Sequence, residues 1–174
     1  VACGVLAAMA INASAQTYVH EQSKEYIWPT DQKVVEKLKG WQDLKFGVLL
    51  HWGLYSVPGI VESWSITSED WITPPADKTY EEYKQWYWGL IKEFNPVKFN
   101  PEQWASVAKD AGMKYVIFTT KHHDGFCLWD TKTTDFNITN SAFRGNERQD
   151  ALRYVLDAFR NEGLMPGTYF SKPD

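Results

Sequence analysis

The sequence predicts an α/β protein, a (β/α)8 TIM-like barrel of which about the first three βα units are present. Three observations lead there. Short apolar runs read as strands. Helical patterns end on glycine directly before the next strand. The segments that follow the strands are much longer than those that precede them.

Residues 46–51 (FGVLLH) form the first apolar run and read as a buried strand. Asn100-Pro101 opens a helix, with Asn as N-cap and Pro in its first turn. Its expected apolar face is Trp104, Val107, Ala108 and Ala111, and Gly112 ends it. Residues 114–120 (KYVIFTT) follow as a second strand. The pattern then repeats. Leu152, Val155, Leu156 and Phe159 make a helical face, Gly163 stops the helix, and residues 164–170 (LMPGTYF) read as a third strand despite Pro166 and Gly167. Helix-to-strand joints are about two residues, whereas the strand-to-helix joints run to roughly fifty and about twenty-seven. In βα barrels those long loops make the active face. The first contains its own helix, opened by a Thr79/Glu82 capping box. Its stripe of Tyr83, Trp86, Tyr87, Leu90, Ile91 and Phe94 is assigned to core packing without chemistry. An open doubly wound sheet is the structural alternative, and no Gly-rich phosphate loop follows any strand to support it. Three strands do not close a barrel of eight, so exposed strand edges are expected.

The chain is 44% hydrophobic and 16% aromatic, enough to build a core and to exclude a disordered protein. A net charge of −4 with no basic cluster argues against nucleic acid and anionic membranes as partners. Residues 1–15 read as the remnant of a signal peptide. The segment 1–11 is small and apolar, Ala13-Ser14-Ala15 fits a cleavage site, and Gln16 becomes the mature start. The run is too short to span a bilayer. The expected location is secreted or periplasmic, in a bacterium. Cys3 falls in this segment, which leaves Cys127 alone and excludes a disulfide framework or a cysteine zinc site. Asn137-Ile138-Thr139 is a glycosylation sequon, relevant in a eukaryotic secretory host.

Chemistry is expected at the strand ends. His51 ends the first strand, His122 and His123 end the second, and Tyr169 lies near the end of the third; the fourth histidine, His20, lies outside the predicted core. Imidazoles with Asp124 suggest a metal site, but the spacing opposes it. A His-x-His pair would need a histidine at position 53, which is Gly, and adjacent His122 and His123 point to opposite sides of an extended chain. Sugar recognition suits these groups better, because a neutral imidazole both donates and accepts, as a hydroxyl does. Trp rings can then cover the apolar face of the sugar.

The run 45–58 (KFGVLLHWGLYSVP) resembles the opening of the α-L-fucosidases of glycoside hydrolase family 29. Phe94-Asn95-Pro96, residues 99–104, Ala111-Gly112-Met113-Lys114-Tyr115 and, above all, residues 119–130 (TTKHHDGFCLWD) resemble the same family in the same order. The resemblance covers residues from about 41 onward and implies that 16–174 is the N-terminal part of a (β/α)8-like catalytic barrel. It implies retaining hydrolysis of terminal α-L-fucosides, a fucosylated glycan as partner, and neither metal nor organic cofactor. It places His51, His122, His123 and Tyr169 on fucose hydroxyls and Trp64 as an aromatic wall. Many members carry Glu directly before that Trp, in a Glu-Trp-Tyr run. Here Glu62-Ser63-Trp64-Ser65 displaces the Glu by one and lacks the Tyr, so Glu62 is given no role. The nucleophile and the acid/base are expected beyond Asp174, and Asp124 is expected to orient a loop. Two other readings are a metal-dependent hydrolase on the same barrel and a non-catalytic sugar-binding protein.

Overall fold

The computed structural model describes residues 27–66 and 76–172. The signal-peptide remnant at 1–15, Cys3, His20 and Asp174 lie outside the described residues. Two compact units are distinguished, Val1–Lys37 and Leu38–Asp174. In the first, the Asp31 carboxylate accepts hydrogen bonds from the backbone N–H groups of Lys33 (2.8 Å) and Val34 (3.3 Å) and starts helix α1 (Gln32–Leu44). This helix was not expected. It buries none of its residues, although Val34, Leu38 and Trp41 recur at helical spacing.

The second unit holds a three-stranded parallel sheet in the order β1-β2-β3, with β1 Gly47–Leu50, β2 Tyr115–Lys121 and β3 Met165–Phe170. Helix α2 (Tyr80–Gly89) lies in the first long loop, α3 (Pro101–Asp110) precedes β2, and α4 (Ala151–Asn161) precedes β3. The helix–strand alternation thus stands as an α/β fold with a small parallel sheet. Pro166 fits because β3 is bonded only to β2 among the described residues.

Two helix starts are those expected. Asn100 Oδ1 accepts from the Gln103 N–H at 3.1 Å, with Pro101 in the first turn. Glu82 N–H donates to Thr79 Oγ1, while the Glu82 carboxylate takes the Thr79 N–H at 2.8 Å, completing the capping box. The Asp150 carboxylate caps α4 by accepting from Arg153 N–H. Gly112 and Gly163 adopt φ +82 and +77 just past α3 and α4, where a side chain would be strained.

The helix faces differ from the expected ones. On α3 the buried side chains are Pro101, Ala105 and Ala108, while Val107 is 61% exposed. On α4, Ala151 and Ala158 are buried with Val155 and Phe159, and Leu152 and Leu156 are only partly covered. Both corrections have one cause. Small alanines let a helix backbone approach its neighbour closely, and hydrophobicity patterns undercount them. The expectation that 46–51 is a buried strand also needs correcting, since Phe46 and Leu49 are 50% and 52% exposed.

The core is aromatic. Trp52 stacks on Phe99 at 5.2 Å and contacts Phe94 and Trp104, next to buried Phe118, Phe126, Phe143 and Phe159. Trp52 therefore belongs to packing rather than to a sugar site. The sequon is structural too. Asn137 is 2% exposed; its Nδ2 donates to the Thr134 carbonyl at 2.8 Å, and its Oδ1 accepts from Thr139 Oγ1 at 2.7 Å and from Thr139 N–H. Cys127 is buried, with its thiol donating to the Gly125 carbonyl. Among the described residues no helix is long and apolar enough to cross a membrane.

Candidate active site

Parallel register aligns the three strand ends. Leu50 pairs with Phe118, and Thr119 with Tyr169. The next residue on β1 is His51, and its Nδ1 lies 3.3 Å from Thr119 Oγ1. The β2–β3 ladder then slips by one residue, so that Lys121, not Thr120, faces Phe170. Thr120 is left without a ladder partner, and its hydroxyl donates to the Tyr169 carbonyl at 3.0 Å. Just past this irregularity the strand ends at Lys121 and the chain turns at His123-Asp124.

That bend overturns the expectation that His122 and His123 face apart. Their rings lie 4.7 Å apart and perpendicular, and both contact Trp64, at 6.4 and 4.3 Å. The alternation rule holds only while the backbone stays extended. His51 lies edge-to-face on His122 at 5.4 Å and tilted on Tyr169 at 5.6 Å. Tyr169 stacks near-parallel to His122 at 6.0 Å. All five sequence-derived residues, His51, His122, His123, Tyr169 and Trp64, therefore meet in one cluster. Trp64 and Tyr169 are about a third exposed, at 36% and 37%, so the cluster reaches the surface through these two rings.

Glu62, left without a role by the sequence, sits in the middle of this group. Its Oε2 lies 2.9 Å from His122 Nε2 and 3.8 Å from His51 Nδ1. The next residue, Ser63, is fully buried, and its Oγ lies 2.5 Å from His122 Nδ1. Residues Ser63–Ile66 form a single 3-10 turn. Glu62 lies directly before this turn, so its offset from the tryptophan does not set where its carboxylate points. Ser171, directly after β3, brings its Oγ to 3.1 Å from His123 Nδ1.

A second network holds the floor of the loop. Asp124 is 7% exposed; its Oδ1 accepts from the Phe126 N–H at 3.0 Å, and its Oδ2 from the Tyr87 hydroxyl at 2.7 Å. The loop-orienting role expected of Asp124 matches these bonds. The stripe on α2 does more than pack, because Tyr87 anchors the loop that carries both histidines.

Burial dominates the electrostatics. It pushes the Asp124 carboxyl above its usual range, with the Tyr87 and Phe126 hydrogen bonds opposing. Burial and the charge of Asp124 push the Tyr55 and Tyr87 phenols up, so both remain protonated. Desolvation, followed by His123, His51 and Lys121, lowers the His122 pKa from 6.5 to about 4. A neutral His122 then donates from Nε2 to Glu62 and accepts the Ser63 hydroxyl at Nδ1. The unfolded chain takes up this proton near pH 6.5 and the folded protein near pH 4. As pH falls through that window the unfolded state binds the proton first, and stability is lost. An NMR titration of the His122 ring is expected to show its midpoint near pH 4, and a midpoint near 6.5 would refute the neutral network.

Comparison with known proteins now defines the class. A family model described as Alpha-L-fucosidase matches residues 13–174. Tissue alpha-L-fucosidase of Mus musculus is 39% identical over 139 residues, covering 77% of this chain and 30% of that protein. Plasma alpha-L-fucosidase of Homo sapiens is 32% identical over 143 residues, covering 78% and 30%. Among solved structures, alpha-L-fucosidase isoenzyme 1 of Paenibacillus thiaminolyticus superposes with a TM-score of 0.63 at 40% identity, covering 80% of this chain and 30% of that one. A covalent intermediate of a Bacteroides thetaiotaomicron alpha-L-fucosidase superposes at 0.59 with 33% identity, covering 78% and 30%. These relatives are glycosidases on an α/β fold. The chain belongs to the alpha-L-fucosidase family, and it spans 30% of the length of the two mammalian relatives.

Proposed function

We propose that this chain supplies the sugar-binding half of a retaining α-L-fucosidase active site, set on the first βα units of a (β/α)8 barrel. The observation that carries this is the convergence of His51, Glu62, His122, His123 and Tyr169 beside Trp64 at the C-terminal strand ends. Barrel enzymes react at that end of the sheet. Imidazole, phenol and carboxylate offer both donors and acceptors to the fucose hydroxyls, and Trp64 covers an apolar edge of the ring. The partner is a terminal fucoside on a glycan. The exposed Phe46, Leu49 and Phe170 form surface that the remaining units of a barrel would cover.

Retaining hydrolysis needs a nucleophile and an acid/base about 5–5.5 Å apart. Glu62 is engaged with two histidines and Asp124 with Tyr87, so neither is assigned those roles. They are assigned to carboxylates beyond Asp174. The apolar segment 1–11 and the Ala13-Ser14-Ala15 site support export, to the periplasm or outside a bacterial cell.

The test is release of the aryl group from an aryl α-L-fucoside by the full-length protein, with residues 16–174 alone as control. Activity in the full-length protein and none in the shorter piece is the expected result. Activity in the piece would put the catalytic carboxylates within residues 16–174. Binding of fucose without turnover by the full-length protein would favour a non-catalytic sugar-binding protein.

A further inference from the structure

We propose that His51, Glu62 and His122 form a binding site for a zinc-class divalent ion, and that the ion and the sugar exclude one another from the pocket. The donors are two imidazole nitrogens and one carboxylate oxygen, mutually within 4.8 Å. Zinc bonds of about 2.0–2.1 Å in tetrahedral geometry place neighbouring donors about 3.3 Å apart. The measured separations from Glu62 Oε2, 2.9 Å to His122 Nε2 and 3.8 Å to His51 Nδ1, bracket that edge. The third edge, between the two imidazoles, lies within 4.8 Å and closes by rotation of the His51 side chain. The objection raised by the sequence concerned pairs on one strand. Here the donors come from the end of β1, the end of β2 and the loop between β1 and α2, so the alternation of side chains along a strand does not limit them.

The surroundings suit a metal. Ser63 Oγ, 2.5 Å from His122 Nδ1, orients the ring and can accept its remaining N–H when Nε2 is a ligand. Binding costs the long 3.3 Å contact between His51 Nδ1 and Thr119 Oγ1. The side chains of His51 and Glu62 are 34% and 26% exposed, which leaves a solvent-facing side for a fourth ligand, water. Two nitrogens and one oxygen select zinc, cobalt, nickel or copper, whereas magnesium and calcium require sets of oxygen ligands. Exclusion follows because His51 and Glu62 are also assigned to fucose hydroxyls. That part rests on the sugar-site reading, whereas the metal site itself does not.

The experiment titrates the full-length protein with zinc chloride in a calorimeter and with cobalt(II) by visible absorption. Expected are one ion per chain, an intense tetrahedral cobalt band, and loss of that band on adding L-fucose. His51→Gln and Glu62→Gln are each expected to weaken zinc by more than about 10-fold, and Ser63→Ala by about 10-fold. Magnesium chloride is expected to give no heat. Absence of zinc binding by the unaltered protein, or binding that both ligand variants leave intact, overturns the site. A cobalt band that the variants abolish but fucose leaves untouched supports the site and overturns the exclusion, which would locate the failure in the sugar reading.

Discussion

Replacing His122 by alanine is expected to lower kcat/KM of the full-length protein on an aryl α-L-fucoside by about 5- to 150-fold. That range corresponds to the ~1–3 kcal/mol lost when a polar partner is left unsatisfied in a buried place. His122 is 4% exposed and holds two groups at once, Glu62 through Nε2 and Ser63 through Nδ1. Alanine leaves the Glu62 carboxylate without the N–H that positions it beside the sugar. Ser63→Ala deletes one hydroxyl from the far side of the ring and leaves the sugar-facing groups in place, so its effect should be the smaller one. Steady-state kinetics of both variants decide the matter. Near-normal values for His122→Ala would remove this histidine from the binding site.

Tyr87→Phe is expected to cost the full-length protein about 1.5–3 kcal/mol at neutral pH, the range for hydrogen bonds to charged groups. The cause is one hydroxyl. Tyr87 donates to Asp124 Oδ2 at 2.7 Å, and both side chains are buried. Without that donor the carboxylate stays buried with less compensation, and its pKa, already raised by burial, rises further. The sign of the pH dependence follows. A carboxyl whose folded pKa is raised costs stability while it is ionised, and that cost disappears as pH falls through the folded pKa. The difference in thermal midpoint between Tyr87→Phe and the unaltered protein should therefore be largest near pH 7 and shrink on acidification. Equal midpoints at both pH values would mean that the bond carries no net stabilisation. The variant should also loosen the His122-His123 loop and raise KM, because Asp124 fixes the turn that follows the two histidines.

Local chemistry made much of the fold readable. Asn100-Pro101, the Thr79/Glu82 box and the two glycines after α3 and α4 act within one helical turn, so a linear reading suffices to find them. Helix α1 has such a cap in Asp31 and a helical spacing of Val34, Leu38 and Trp41, so it was legible by the same signals although it buries none of its residues. The rotated faces of α3 and α4, by contrast, were hidden. Alanine contributes little hydrophobic signal, yet it is what allows close helix contact at Ala105, Ala108, Ala151 and Ala158.

The sequence by itself determined which strand ends carry His51, His122, His123 and Tyr169, because parallel strands put every carboxyl end on the same side of the sheet. It also determined the family, through long runs such as 119–130. Only the tertiary structure decided how the groups meet. The ladder slip between Thr119 and Lys121 and the bend after it bring His122 and His123 together against Trp64. The 3-10 turn at Ser63–Ile66 follows Glu62, whose carboxylate lies between two histidines, and Tyr87 crosses from α2 to hold Asp124. Spacing along a chain fixes directions while the backbone is regular. Each of these groups acts from, or upon, irregular backbone, where contacts distant in sequence set the direction of the side chain.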